Sequence, residues 1–141
     1  MKRFLPILFV LFILLTGCQS AKSQSTDAPG KVVEVPGGSY RDISSSELKS
    51  MLDNKDFVFV NVHIPYEGEI ENTDLFIPYD QIQQDLDKLP EEKNAKVVLY
   101  CRSGRMSTIA AKELVGLGYT NLYNLDDGFQ GWEQADYPLK K

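Results

Sequence analysis

Residues 97–117 place three pieces in an order that few folds accommodate. A wholly apolar run, Val97-Val98-Leu99-Tyr100, leads into the polar loop Cys101-Arg102-Ser103-Gly104-Arg105-Met106-Ser107. A segment with Ile109, Ala110, Leu114 and Leu117 at helical spacing follows. An uninterrupted apolar run of this kind suits a strand buried on both faces, as in parallel sheets. A turn closed by a helix N-terminus gathers unpaired N–H groups and the positive end of the helix at one point. Gly104 lets the backbone fold back, so that the turn can form a nest of amides. Guanidinium groups beside a thiol favour its thiolate. The segment therefore reads as a sulfur nucleophile, Cys101, in an anion-shaped cup made by residues 102–107, within a partly exposed, electropositive pocket. The competing reading, an inert buried cysteine, suits the strand but not the Arg-Ser-Gly-Arg flank.

Elsewhere, short apolar strands alternate with helical stretches. Ser44-Ser45-Ser46-Glu47 has the spacing of a capping box, with Leu48, Met51 and Leu52 as the apolar stripe behind it. Residues 57–62 form a β-branched and aromatic strand, and residues 76–78 a brief extended piece. Ile82, Leu86 and Leu89 predict a helix over residues 79–89 that stops at Pro90. Gly118 is placed to cap the helix after the cysteine loop. Residues 122–125 make another strand, and residues 128–132 open a last helical turn. This alternation predicts an α/β fold with a mostly parallel sheet covered on both faces. Ligands in such sheets sit beyond the carboxyl ends of the strands, where Cys101 falls.

The N-terminal residues read as an address. Lys2 and Arg3 precede an apolar stretch over residues 4–15, a signal-peptide core too short for a comfortable membrane span. Leu15-Thr16-Gly17-Cys18 is similar to the lipobox of bacterial lipoproteins. It predicts a signal peptide over residues 1–17 and lipidation at Cys18. A flexible Ser- and Gln-rich tether would span residues 18–39 and a folded domain residues 40–141. The protein would then sit on a membrane of the cell envelope through its lipid, facing away from the cytoplasm. The chain has two cysteines, so Cys101 would be the only free thiol, an unusual state for an exported domain. Removing Lys2 and Arg3 takes the 15 basic residues to 13 against 20 acidic ones, a net charge of −7. Such a charge argues against nucleic-acid partners.

The cysteine loop resembles the active loop of the rhodanese (sulfurtransferase) family, and the likeness runs from about residue 40 to residue 137. Asn61-Val62-His63 stands where that family usually carries Asp-Val-Arg, with Glu67 just beyond and Gly68-Glu69-Ile70 where many members show Gly-His-Ile. Leu125-Asp126-Asp127-Gly128-Phe129-Gln130-Gly131-Trp132 is similar to its glycine-rich segment ending in tryptophan. The resemblance implies a five-stranded parallel sheet and transfer of sulfane sulfur through a cysteine persulfide, with no cofactor. Cys101 would accept sulfur, and the amides of Arg102, Ser103, Gly104, Arg105, Met106 and Ser107 would cradle it. Arg102 and Arg105 would hold the donor's anionic head.

The partners expected are a small sulfur-containing anion, a thiol acceptor or a protein thiol. His63, the single histidine, is read as structural rather than as a general base. Trp132, Phe129 and Tyr137 are read as core and wall, and Asp126-Asp127 as a solvated turn. No cluster has metal-ligand spacing. A cysteine phosphatase would need an arginine six residues after the cysteine, where this chain has Ser107. A non-catalytic, redox-sensing or sulfur-carrier module remains the alternative, because the same thiol serves both uses.

Overall fold

A computed structural model describes residues 28–141. Cys18 and the segments expected to be a signal peptide and the first part of a tether lie outside the described residues. Strands β1 (Lys31–Val35) and β2 (Gly38–Ile43) form a hairpin, followed by helix α1 (Ser45–Asp53) and strand β3 (Val58–Asn61). Short strands β4 (Glu69–Ile70) and β5 (Leu75–Phe76) come next, then β6 (Val97–Tyr100), α2 (Arg105–Gly116), β7 (Leu122–Leu125), α3 (Gly128–Gln134) and β8 (Leu139–Lys140).

The main sheet has the order β1-β2-β7-β6-β3-β5. Its last five strands are parallel, as the alternating pattern requires, and β1 adds a sixth, antiparallel strand on the β2 edge. Residues 31–35, placed in the tether by sequence, thus belong to the sheet. Val32, Val33 and Val35 supply the strand-forming side chains, and Gly37 (φ +93°) makes the turn. β4 and β8 form a separate two-stranded ribbon.

The period of two along β6 sorts the core. Val97, Leu99 and Cys101 face α2 with Val60, Val62, Ala110, Ala111 and Leu114. Val98 and Tyr100 face α1 and α3 with Phe59, Leu48, Leu125, Phe129 and Trp132. All four residues of β6 are fully buried, each Val or Leu contributing on the order of 1.5–3 kcal/mol. Tyr100 neighbours Cys101 in sequence but points to the opposite layer. Its hydroxyl accepts the Ile70 N–H at 3.0 Å and pairs with Thr73 at 2.7 Å, and burial pushes its pKa up to about 12.

The helix expected over residues 79–89 is instead two single 3₁₀ turns, Tyr79–Gln81 and Leu86–Lys88. Ile82 and Leu89 still reach the core, but the main chain closes separate i→i−3 bonds, Gln81 N–H to Pro78 O, Gln84 N–H to Gln81 O and Lys88 N–H to Asp85 O, in place of a continuous helical ladder. α2 ends in a Schellman motif. Gly118 adopts φ +93°, its N–H donates to Val115 O, and the Tyr119 N–H reaches Leu114 O at 3.1 Å. No helix of the described residues is long and apolar enough to cross a membrane.

Candidate functional site

The chain leaving β3 turns toward β5, while the chain leaving β6 turns the other way, toward β7. This divergence opens a crevice at the carboxyl ends of two neighbouring parallel strands, the usual place for a ligand in such sheets. The loops 62–68 and 101–104 form its two walls.

Gly104 precedes α2 with φ +84°, a left-handed conformation that an L side chain resists. A Cβ there would stand 1.8 Å from the Asp126 carbonyl oxygen, so glycine is required on steric grounds as well. Residues 102–104 are bends without a hydrogen-bonded turn, and α2 has no side-chain cap. The first inward bond is the Thr108 N–H to Gly104 O at 2.9 Å. Among the described residues, the N–H groups of residues 102–107 find no protein acceptor. Helix N-termini leave such donors by construction, and here the loop adds more. The Ser107 hydroxyl lies 3.5 Å from Cys101 Sγ and 3.1 Å from Gly104 O, with one proton to give to either.

The glycine-rich segment fixes this loop from outside. The Phe129 N–H donates to Cys101 O at 2.9 Å, and the Gln130 N–H to Arg102 O at 3.0 Å. Gly128, at φ +57°, permits the approach, since a Cβ there would sit 2.4 Å from the Cys101 carbonyl oxygen. Phe129 and Trp132 are buried, as read from sequence. That reading missed the main-chain clamp, whose signal was the Asp-Gly-Phe-x-Gly-Trp pattern itself. Asp126 carries a carboxyl held above its ordinary range, by desolvation first and then by neighbouring Asp42 and Asp127.

The facing wall is wired through side chains. Buried Asn61 donates to Gly68 O at 3.1 Å and accepts the His63 N–H at 3.0 Å. His63 is 6% exposed, with Nε2 2.6 Å from Glu67 Oε2, its ring edge-on to Phe129 and its Nδ1 without a partner. Glu67 also faces Arg102, whose Nη1 lies 3.4 Å from both carboxylate oxygens. The sequence departures at 61 and 63 thus form a Glu67-centred link across the crevice.

The structure brings Cys101, Arg102, Gly104 and Ser107 together. Ser103 and Arg105 are exposed, and Met106 is half-buried against the core. The expected partial exposure of the cysteine is not met. Cys101 is 1% exposed, because strand alternation turns it into the α2 layer and the loop closes over it. No group of three or more metal-ligating side chains occurs among the described residues.

An α/β sheet with this strand order and a cysteine at the head of an open amide loop defines the rhodanese-like class. A Rhodanese-like domain family model matches residues 44–135, and the chain belongs to that family. A rhodanese-related protein from Thermoplasma volcanium superposes with a TM-score of 0.61 at 27% identity, covering 71% of this chain and 97% of its own. A Rhodanese-like domain protein from Staphylococcus aureus gives 0.56 at 29% identity, covering 64% and 89%. In sequence, the chain is 33% identical over 97 residues to a tRNA uridine(34) hydroxylase of Erwinia tasmaniensis, covering 64% of this chain but only 27% of that enzyme.

Proposed function

We propose that the protein is a sulfurtransferase that carries sulfane sulfur on Cys101, tethered to a membrane of the cell envelope through a lipidated Cys18. The Cys101 thiolate attacks the outer sulfur of a thiosulfate or persulfide donor. The donor's S–S bond breaks, sulfite or a thiolate leaves with the bonding electron pair, and the persulfide Cys101–S–S⁻ remains. A thiol or other thiophilic acceptor then takes the terminal sulfur and restores the thiolate. The observation that carries this reading is the run of N–H donors from Arg102 to Ser107, without protein acceptors, in the loop that follows Cys101 and joins it to α2. Fixed donors of this kind stabilise charge without reorganising. Arg102, Arg105 and the Ser107 hydroxyl add to the positive field.

This chain spans only about a quarter of the hydroxylase it matches, so that enzyme's activity is not carried over. The test is turnover of thiosulfate with cyanide as acceptor, read as thiocyanate, on the full chain. Activity lost in Cys101→Ser and retained in Cys18→Ser supports the proposal. Activity persisting in Cys101→Ser overturns it. Labelling with a fatty acid, present in the parent and absent in Cys18→Ser, tests the anchor.

A further inference from the structure

Among the described residues, three large apolar side chains stay exposed, and two of them lie together. Tyr66 is 51% exposed and Phe76 40%, and their rings meet edge to face with centroids 5.5 Å apart. Neither belongs to the two core layers. Leu75 turns inward to the α2 layer, so Phe76 turns out on the other face of β5, the last strand of the sheet. The frame beneath the pair is stiff. The Asp74 N–H donates to Phe59 O at 2.9 Å and the Ile77 N–H to Asn61 O at 3.0 Å, while Asn61 Nδ2 ties Gly68 O at 3.1 Å. Exposed aromatic rings on a fixed frame mark an interaction surface, since interface cores are enriched in them.

The chain around the pair carries charge of one sign. Residues 64–87 hold seven Asp and Glu side chains and no Lys or Arg. Glu67, Glu71, Asp74 and Asp85 each have a basic partner. Glu69 and Asp80 form no ion pair among the described residues. Glu69 stands beside the Tyr66 hydroxyl, whose pKa is raised by desolvation first and then by that carboxylate. Asp80 lies in the turn after Phe76, where the Tyr79 N–H donates back to Val62 O at 3.1 Å.

We infer that the Tyr66–Phe76 pair anchors a docking surface for a protein partner that presents a basic, extended segment. A Lys or Arg of that segment lies against the rings, and its flanking cations face Glu69 and Asp80. Cations are attracted to an aromatic face within about 6 Å of its centroid. The molecule uses that contact internally, with Lys93 Nζ 3.9 Å from the Tyr119 ring centroid. The charge pattern decides between occupants. A second copy, net acidic as this chain is, would set carboxylate against carboxylate, and anionic lipid would meet the same repulsion. A neutral apolar ligand would leave Glu69 and Asp80 unmatched. The outer edge of β5 pairs with no strand among the described residues, which suits an extended segment. Tyr66 belongs to the 62–68 wall of the crevice, so a docked partner stands beside the cysteine loop. Docking of this kind requires no sulfur chemistry at Cys101.

The test pans a random-peptide phage library on the immobilised full chain and, in parallel, on its Tyr66→Ala/Phe76→Ala variant. Peptides enriched on the parent and lost on the variant should carry an excess of Lys and Arg next to apolar residues. One such peptide, labelled and followed by fluorescence anisotropy, should bind about tenfold more weakly to Tyr66→Ala. Loss of one charge, in Glu69→Gln or Asp80→Asn, should weaken it about threefold. Tyr66→Phe, which keeps the ring, and Glu34→Gln, on the opposite edge strand, should bind as the parent does. Asp80→Asn leaves the aromatic pair untouched, so it decides the matter even where Tyr66→Ala fails to fold. No enriched set, a set without excess Lys and Arg, or one shared by both proteins overturns the proposal. Equal weakening by Glu34→Gln overturns it too, by showing only diffuse attraction to an acidic protein. So does a dimer in sedimentation that Tyr66→Ala dissolves, which assigns the surface to a second copy. Capture of phosphatidylserine vesicles, lost in Tyr66→Ala, assigns it to lipid and overturns it as well.

Discussion

Two helix N-termini in this molecule solve the same problem in opposite ways. At α1 the chain closes its own end. The Ser44 hydroxyl accepts the Glu47 N–H, and the Glu47 carboxylate accepts the Ser44 N–H at 2.8 Å and the Gly30 N–H at 2.9 Å. At α2 the preceding residue is Gly104, which has no side chain to give, and the first N–H groups of the helix are left without a protein acceptor. A capping box contributes about 1 kcal/mol to a helix. The chain forgoes that contribution at α2 and holds the helix instead with the Gly128–Gln130 clamp and a buried apolar face. An unsatisfied end that the fold supports from elsewhere is available to a ligand, and an end that satisfies itself is not.

The largest effect is expected at the open end. Gly104→Ala must abandon φ +84° and relieve a 1.8 Å approach to Asp126 O, which no rotamer can do. Left-handed strain alone costs about 1–2 kcal/mol. Displacing the loop should bring the loss to roughly 3 kcal/mol in urea unfolding and reduce sulfur transfer by about a hundredfold or more. Near-parent transfer in Gly104→Ala would break the link between this backbone shape and the chemistry.

Ser107→Ala should come next. It removes the hydroxyl 3.5 Å from the sulfur and leaves Gly104 O short of one donor, costing about 1 kcal/mol of stability and about tenfold in transfer. A stability loss with unchanged turnover would make Ser107 only a brace for the turn.

The smallest effect belongs to the closed end. Glu47 has its pKa lowered, first by the Ser44 N–H; desolvation opposes this in part, and the Ser44 hydroxyl and the Gly30 N–H add smaller lowering effects. A depressed carboxyl contributes stability above its ordinary value of 4.5 and loses it as pH falls through the lower folded value. Glu47→Gln should therefore cost about 1 kcal/mol near neutral pH. The gap from the parent should narrow in acid, as chemical denaturation at several pH values would reveal, and sulfur transfer should not change.

Much of this contrast was legible in the sequence. Ser44 and Glu47 announce the closed end by their spacing, and Gly104 between two arginines announces the open one. The parallel core of the sheet follows from runs such as Val97–Tyr100. Strand β1 was not legible, because Lys31–Val35 is a short run with two charged residues between Pro29-Gly30 and Pro36-Gly37, and its partner is set by a tight glycine turn. The two 3₁₀ turns read as one helix in sequence because Ile82, Leu86 and Leu89 keep helical spacing, although only Ile82 and Leu89 are fully buried and the main chain breaks into two short turns. At the site, the burial of Cys101 was misjudged from charged neighbours that point outward while the cysteine points in. Tyr66 and Phe76 gave no signal as a pair, being brought together only by the fold.

The central claim is that the open amides and Cys101 together accept a sulfur atom. Intact-mass measurement of the full chain after exposure to a sulfane donor tests it most directly. The account predicts a gain of about 32 Da, one sulfur atom, located on Cys101, reversed by a thiol and absent in Cys101→Ser. A chain whose mass never changes with thiosulfate or cysteine persulfide, although Cys101 is present and reduced, would contradict it.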